Sequence, residues 1–279
     1  MKICNTIEDM REACRAARRG GERLGFVPTM GALHEGHLSL VRAARAACEI
    51  VAASIFVNPA QFGPTEDLAK YPRTFDHDRD LLEKEDVALL FAPSVEEMYP
   101  TGATTWVTVE GLSGKLDGRS RPGHFRGVTT VVAKLFHVAE PDVAFFGQKD
   151  AAQVAIIGRM VRDLGFPVEI VACPIVREPD GLAMSSRNAY LDREQRKQAL
   201  VLHRSLMRVK KLWDAGECAA EKLAAAGREE LAAQSAVRLD YFEIVDADRL
   251  DPVENAGRGT LVAVAAFVGV TRLIDNIVL

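Results

Sequence analysis

The 279-residue chain has 48% apolar and 27% charged residues, a globular composition that excludes general disorder. Its formal net charge of −4 argues against a nucleic-acid partner, which calls for a basic excess. Cysteines at 4, 14, 48, 173 and 218 are odd in number and form no C-x-x-C pair, so they read as reduced thiols of a cytosolic protein.

The N-terminus meets acidic residues by Glu8 and lacks the apolar core of a secretory signal. The longest apolar run, 261–270, is about half of what a membrane span needs. A soluble, cytoplasmic protein is expected.

Strand-like and helix-like segments alternate over the first two-thirds. "LGFVP" reads as a strand and leads through "TMGALHEG" to a helix from His37, with Leu38, Val41 and Ala44 at helical spacing. A strand over 51–58, a helix over 76–86 and a strand over 87–93 follow. The segment 127–140 reads as a helix despite its valines, before a strand at 142–147, a helix at 149–165 and a strand at 168–176. Strands apolar throughout, alternating with helices, imply α/β architecture: a parallel sheet covered on both faces. Past 177 a basic helix over 192–215, an alanine-rich helix over 219–235 and two strand-rich segments suggest a smaller α+β domain. The expected division is 1–176 and 177–279.

Ligands of parallel sheets gather at the carboxyl ends of strands, where four polar segments fall. In "PTMGALHEGH", His34 and His37 are an i, i+3 pair at a strand-to-helix junction, within reach of one anion, and Gly36 clears an approach to the backbone. Two surface histidines at a helix start are the plainer reading. Zinc would need further ligands. In "GQKDAAQ", Lys149 stands at a helix start beside free N–H donors and shares a face with Gln153. In "MSSR", Ser185, Ser186 and Arg187 offer two hydroxyls and a guanidinium to a polyphosphate, or simply cap the next helix. "NPAQFGP" offers Gln61 as a substrate clamp. "RSRPGHFRG" is a phosphate funnel or a solvated loop. "GLSGKLDG" lacks the spacing of a Walker loop, and no G-x-G-x-x-G follows the first strand.

Taken in order, "PTMGALHEGH", "SIFVNPAQFGP", "YPRT", "RPGHFRGV", "FGQKD" and "MSSRN" resemble the pantothenate synthetase (pantoate–β-alanine ligase) family over essentially the whole chain. The resemblance implies a Rossmann-like, nucleotidyltransferase-type fold, shared with class I aminoacyl-tRNA synthetases. It implies condensation of (R)-pantoate with β-alanine, driven by ATP and Mg²⁺, through a pantoyl adenylate. It also implies a homodimer.

By the same resemblance, Met30, Gly31, Ala32, Leu33, His34, Glu35, Gly36 and His37 form the nucleotide loop, with His37 the proton donor. Gly147, Gln148, Lys149 and Asp150 serve phosphate and ribose, and the Val176 backbone the adenine edge. Met184, Ser185, Ser186 and Arg187 close over the triphosphate. Gln61 and Gln153, with Pro28, Thr29 and Asn58, bind pantoate, and Val128, Val131 and Val132 line a pocket for its methyl groups. That valine stripe is equally an ordinary core face. Asp78 is expected at the metal; His77 stands where the family commonly has an acidic residue, and "KDAAQ" has alanines where an aromatic and a glutamine are usual. The alternatives are a nucleotidyltransferase acting on a phosphorylated acceptor, which has no need of Gln61, Gln153 or the valines, and a catalytically inactive nucleotide sensor.

Overall fold

The structure, a computed structural model, describes residues 1–64 and 66–279. Its first strand, β1 (Lys2–Cys4), precedes helix α1 (Ile7–Ala17), β2 (Leu24–Thr29), α2 (Glu35–Ala47) and β3 (Ile50–Ile55). Then come α3 (Phe75–Lys84), β4 (Leu89–Phe91), the short α4 (Val95–Met98) and α5 (Asp117–Ser120), α6 (His124–Ala139), β5 (Val143–Gly147), α7 (Ala151–Leu164) and β6 (Glu169–Cys173). The remainder supplies α8 (Arg193–Ala199), α9 (Val201–Asp214), α10 (Ala220–Ala232), β7 (Val237–Asp246), β8 (Thr260–Val268) and β9 (Thr271–Val278).

Strands β1 to β6 form one parallel sheet in the order β1-β4-β3-β2-β5-β6. The chain runs outward from β2 in one direction through β3 and in the other through β5. The order reverses between the neighbours β2 and β5, whose following helices α2 and α7 leave to opposite faces, and this opens a crevice at their carboxyl ends, where open α/β sheets bind ligands. One face carries α1, α6 and α7 over a core around Phe26, Phe136, Phe146 and Ile156. The other carries α2 over Val27, Val41, Leu82 and Phe145. Both faces are covered, so the strands can be apolar throughout, as their sequences are.

The antiparallel sheet β7-β8-β9 stands beside the first. Alternation along β8 divides its residues between two cores. Leu261, Ala263 and Ala265 pack toward the main core, while Val262, Val264 and Ala266 pack with Leu202, Leu206 and Leu223 of α9 and α10.

Several expected bounds shift. The strand expected over 168–176 ends at Cys173, because Pro174 has no N–H to continue the ladder. The helix expected over 192–215 is two, with Leu200 between α8 and α9; the residues there contain neither glycine nor proline to mark the break. Helix α6 begins at His124 rather than 127, because Gly123 at φ 83° supplies the left-handed turn that starts it.

Candidate active site

The loop after β2 turns sharply at two left-handed residues, Gly31 (φ 80°) and Ala32 (φ 51°). Alanine pays about 1 kcal/mol for such a conformation, so something must hold it. That partner is Asp78 of α3, fully buried, whose carboxylate accepts the backbone N–H groups of Ala32 and Leu33, each at 2.8 Å. The Thr74 hydroxyl donates to the same group at 3.2 Å. With its oxygens engaged in this way and no solvent exposure, Asp78 braces the loop. In this arrangement the carboxylate that was expected at the metal is bonded to the loop backbone and to Thr74. Among the described residues no group of three or more His, Cys, Asp or Glu is placed to hold a metal ion.

His34 is the N-cap of α2, and its Nδ1 accepts the Gly36 N–H at 3.1 Å. His37, three residues on, turns back so that its Nδ1 accepts the His34 N–H at 3.3 Å. The two rings lie 4.2 Å apart. Both Nδ1 atoms are acceptors, so the ring proton of each neutral imidazole sits on Nε2. Burial, reinforced by His34 and Lys149, drives the His37 pKa down to about 3, and burial lowers that of His34 as well. The pair is neutral at pH 7 and offers two Nε2–H donors. A Cβ on Gly36 would stand 2.8 Å from the His34 ring, so the glycine first of all makes room for the cap.

Lys149 enters from the other side of the crevice, on a 3₁₀ turn (Gln148–Asp150) that follows β5 directly. Its Nζ is 3.9 Å from the Asp150 carboxylate. Ser185 caps the turn Ser186–Tyr190 by accepting the Arg187 N–H, and the Arg187 guanidinium holds Asp67 through two bonds of 2.9 and 3.0 Å. The Val176 carbonyl accepts the Met184 N–H at 3.0 Å, which leaves the Val176 N–H as the group it can offer.

Beneath the histidines the cleft narrows to an amide-and-valine pocket. The buried Gln61 accepts Asn58 Nδ2–H at 3.0 Å and rests its own Nε2 on the Met30 sulfur at 3.1 Å, a weak acceptor that leaves the amide available. Asn58 itself is consumed. It donates to Gly127 O at 3.1 Å and accepts from Tyr99 Oη at 2.9 Å and Ala60 N–H at 3.2 Å. Val128, Val131 and Val132 of α6 form one wall.

The cavity of about 220 Å³ is lined by Pro28, Thr29, Met30, His34, Gly36, His37, Asn58, Gln61, the three valines, Gly147, Lys149, Asp150, Gln153, Val176, Met184, Ser185, Ser186 and Arg187. It shares Lys149, Asp150, Gln153, Ser185 and Arg187 with an adjoining cleft of about 800 Å³ that is walled on its far side by β9. Other expected residues lie elsewhere. Gly31 and Ala32 act through their backbone, and Leu33 is buried under α2 in the core. The Glu35 carboxylate turns outward to Arg42, which also holds Glu85 at 2.6 Å. The Gln148 side chain leaves the cleft and donates to Asn276 Oδ1 at 3.2 Å. Asn58, expected at the substrate, lines the cavity and has its polar atoms bonded internally, where it supports Gln61.

The lining also includes residues that were not among the expected site, His124 and Tyr71 among them. His124, the first residue of α6, makes a 2.9 Å bond between its Nδ1 and Gln61 O, and burial next to Arg121 lowers its pKa to about 4. Arg121 pairs with Glu66. The basic loop, ambiguous in sequence, is thus a helix start tied to the pocket, and the only local sign of it was the glycine before the histidine. Tyr71, buried, closes the same pocket with Phe62, their rings 5.9 Å apart.

A family model described as pantoate-beta-alanine ligase matches residues 2–278. The chain belongs to that family. It is 61% identical over 279 residues to a protein of Koribacter versatilis named pantothenate synthetase, covering 100% of this chain and 96% of the relative. The crystal structure of pantothenate synthetase from Thermus thermophilus superposes with a TM-score of 0.94 at 48% identity, covering 99% of each chain. A Francisella tularensis pantoate-beta-alanine ligase, solved in complex with beta-gamma ATP and beta-alanine, gives a TM-score of 0.82 at 32% identity over 100% of this chain and 97% of that one. Family and fold are those that the ordered motifs implied: a Rossmann-like parallel sheet with a small C-terminal sheet, and the activity of a pantoate–β-alanine ligase.

Proposed function

We propose that this cleft joins (R)-pantoate to β-alanine at the expense of ATP in two steps. In the first, a pantoate carboxylate oxygen attacks the α-phosphorus of ATP; the Pα–O–Pβ bond breaks, and pantoyl adenylate and pyrophosphate form. In the second, the neutral amine of β-alanine attacks the acyl carbon, the C–O bond to AMP breaks, and the amine proton is lost as pantothenate and AMP leave. The observation that carries this reading is the apposition of two Nε2–H donors and one lysine, on the segments that follow β2 and β5, above a pocket with one available amide and an apolar wall.

No covalent nucleophile is needed, so the protein's work is alignment and charge stabilisation. His34 and His37 donate to phosphate oxygens. The charge of a bound triphosphate favours protonation of His37, and from that state it gives a proton to the departing pyrophosphate. Lys149 neutralises charge as the α–β bridge opens. Ser185, Ser186 and Arg187 cover the triphosphate once Arg187 exchanges Asp67 for phosphate. Gly147 and Asp150 face the ribose, and the Val176 N–H the adenine edge. Gln61 Nε2 and Gln153 bond the hydroxyl and carboxylate of pantoate, whose methyl groups lie on Val128, Val131 and Val132. A phosphorylated acceptor would have no use for this neutral, valine-lined floor.

Magnesium enters this reading as part of the substrate, Mg·ATP. Among the described residues the cleft's carboxylates do not make a ligand set for it, and triphosphate oxygens and water are its usual ligands. The same reading includes a homodimer, a cytoplasmic location and a division of the chain near 176/177, where the segment that carries Ser185 begins. No helix among the described residues is long and apolar enough to cross a membrane.

Pyrophosphate–ATP exchange with pantoate and magnesium, β-alanine omitted, tests the first step. Exchange that depends on pantoate is expected and should fall by orders of magnitude in His37→Ala and Lys149→Ala. Near-normal exchange in both variants would overturn the assignment.

A further inference from the structure

Strand β9 reads T-R-L-I-D-N-I-V, and its two central polar residues are both buried: Asp275 is 3% and Asn276 2% exposed. Burying an amide and a carboxylate in an apolar strand is costly unless each finds partners. Neighbouring residues of a strand point to opposite faces, so the two reach different loops. Asp275 takes the Arg177 guanidinium end-on through bonds of 2.7 and 2.9 Å, immediately after Val176. Asn276 Nδ2 donates to the Gln148 carbonyl at 2.9 Å and the Lys149 carbonyl at 3.0 Å, while its Oδ1 accepts Gln148 Nε2–H at 3.2 Å.

The turn that Asn276 holds has no side-chain cap of its own. It joins a strand end to α7 and carries the one lysine among the described residues of the cavity lining. Without Asn276 the carbonyls of Gln148 and Lys149 lose the amide that spans both.

We propose that Asn276 is a positioning residue for Lys149, fixing the lysine's backbone from the C-terminal sheet so that the cation is already placed when the triphosphate arrives. Asp275, through Arg177, steadies the opposite rim of the nucleotide site. The C-terminal sheet thereby grips both sides of that site with one dipeptide. This inference rests on the role given to Lys149 above.

The test is a double-mutant cycle read by pantoate-dependent pyrophosphate–ATP exchange, with Asn276→Asp and Asn276→Ala made in the wild-type and Lys149→Ala backgrounds. Asn276→Asp keeps the side chain's size and sets an anion against two carbonyls. In wild type each change should lower kcat at least about ten-fold, as small misplacements of a catalytic group do, and leave KM for pantoate within about two-fold. In the Lys149→Ala background the same changes should cost less than about two-fold, since the group they position is gone. Should aspartate prevent folding, checked by the thermal midpoint, Asn276→Ser keeps one short donor and should show the same pattern. Losses that multiply in full in the Lys149→Ala background, or no loss in wild type, would overturn the proposal. Unimpaired exchange in Lys149→Ala alone would instead overturn the role of the lysine.

Discussion

Asp78→Asn separates a loop brace from a metal ligand. In the wild type the carboxylate accepts two backbone N–H groups at 2.8 Å in a site closed to solvent. Asparagine retains one oxygen, now uncharged, and turns an NH₂ group toward the other N–H. One charge-assisted bond is lost, the other weakened, and a buried donor is left facing a donor. With charged bonds at roughly 1.5–3 kcal/mol and an unsatisfied buried group at about 1–3, the loss should come to about 3 kcal/mol. Urea unfolding measures that directly. Because the loop bears the His34 cap, exchange activity should also fall, but the magnesium concentration for half-maximal exchange should stay within about two-fold of wild type, since the ion is held by phosphate oxygens. A variant as stable as wild type whose activity returns on raising magnesium would refute the reasoning and restore Asp78 to the metal.

Gly127→Ala would place a Cβ 2.3 Å from the Ala60 carbonyl oxygen and 2.6 Å from Gln61 Cα. Overpacking against backbone should destabilise by about 2 kcal/mol and raise KM for pantoate, and a melting temperature within about 1 °C of wild type would contradict it. Gln61→Ala should raise KM for pantoate more than that for ATP in steady-state kinetics; the reverse would mean that the pockets are exchanged. His37 and His124 have folded pKa values lowered to about 3 and about 4. The unfolded chain therefore binds more protons below its histidine pKa near 6.5, and stability is intact above that pH and falls as pH drops toward the folded values. Each should cost about 2 kcal/mol between pH 7 and pH 5, and His124→Gln should remove its share in urea titrations at the two pH values. An equal acid sensitivity in that variant would contradict the assignment.

The sheet was legible because its strands are apolar on both faces and its helices show one stripe each. The histidine pair was legible for a local reason, an N-cap and its N3 residue three apart. What escaped was set by contacts far along the chain. Asp78 binds a loop 46 residues away, Asn276 a turn 127 and 128 residues away, and Asn58 the Gly127 carbonyl 69 residues away. Nothing within a few residues of these side chains says whether they face a ligand or a backbone. Asp78 and Asn58 therefore read as ligand contacts in sequence, and the bonds they make inside the protein were not visible there. Sequence does distinguish polar from apolar at β9, where an Asp-Asn pair interrupts an apolar strand, but not what that pair holds.

The most direct test of the central claim follows one oxygen. Pantoate labelled with ¹⁸O in its carboxylate is turned over with ATP, magnesium and β-alanine, and the products are weighed by mass spectrometry. Attack of the carboxylate on the α-phosphorus predicts one ¹⁸O in AMP and none in pyrophosphate. Label in inorganic phosphate with ADP as product, or unlabelled AMP, would contradict the acyl adenylate and with it the role assigned to the cleft.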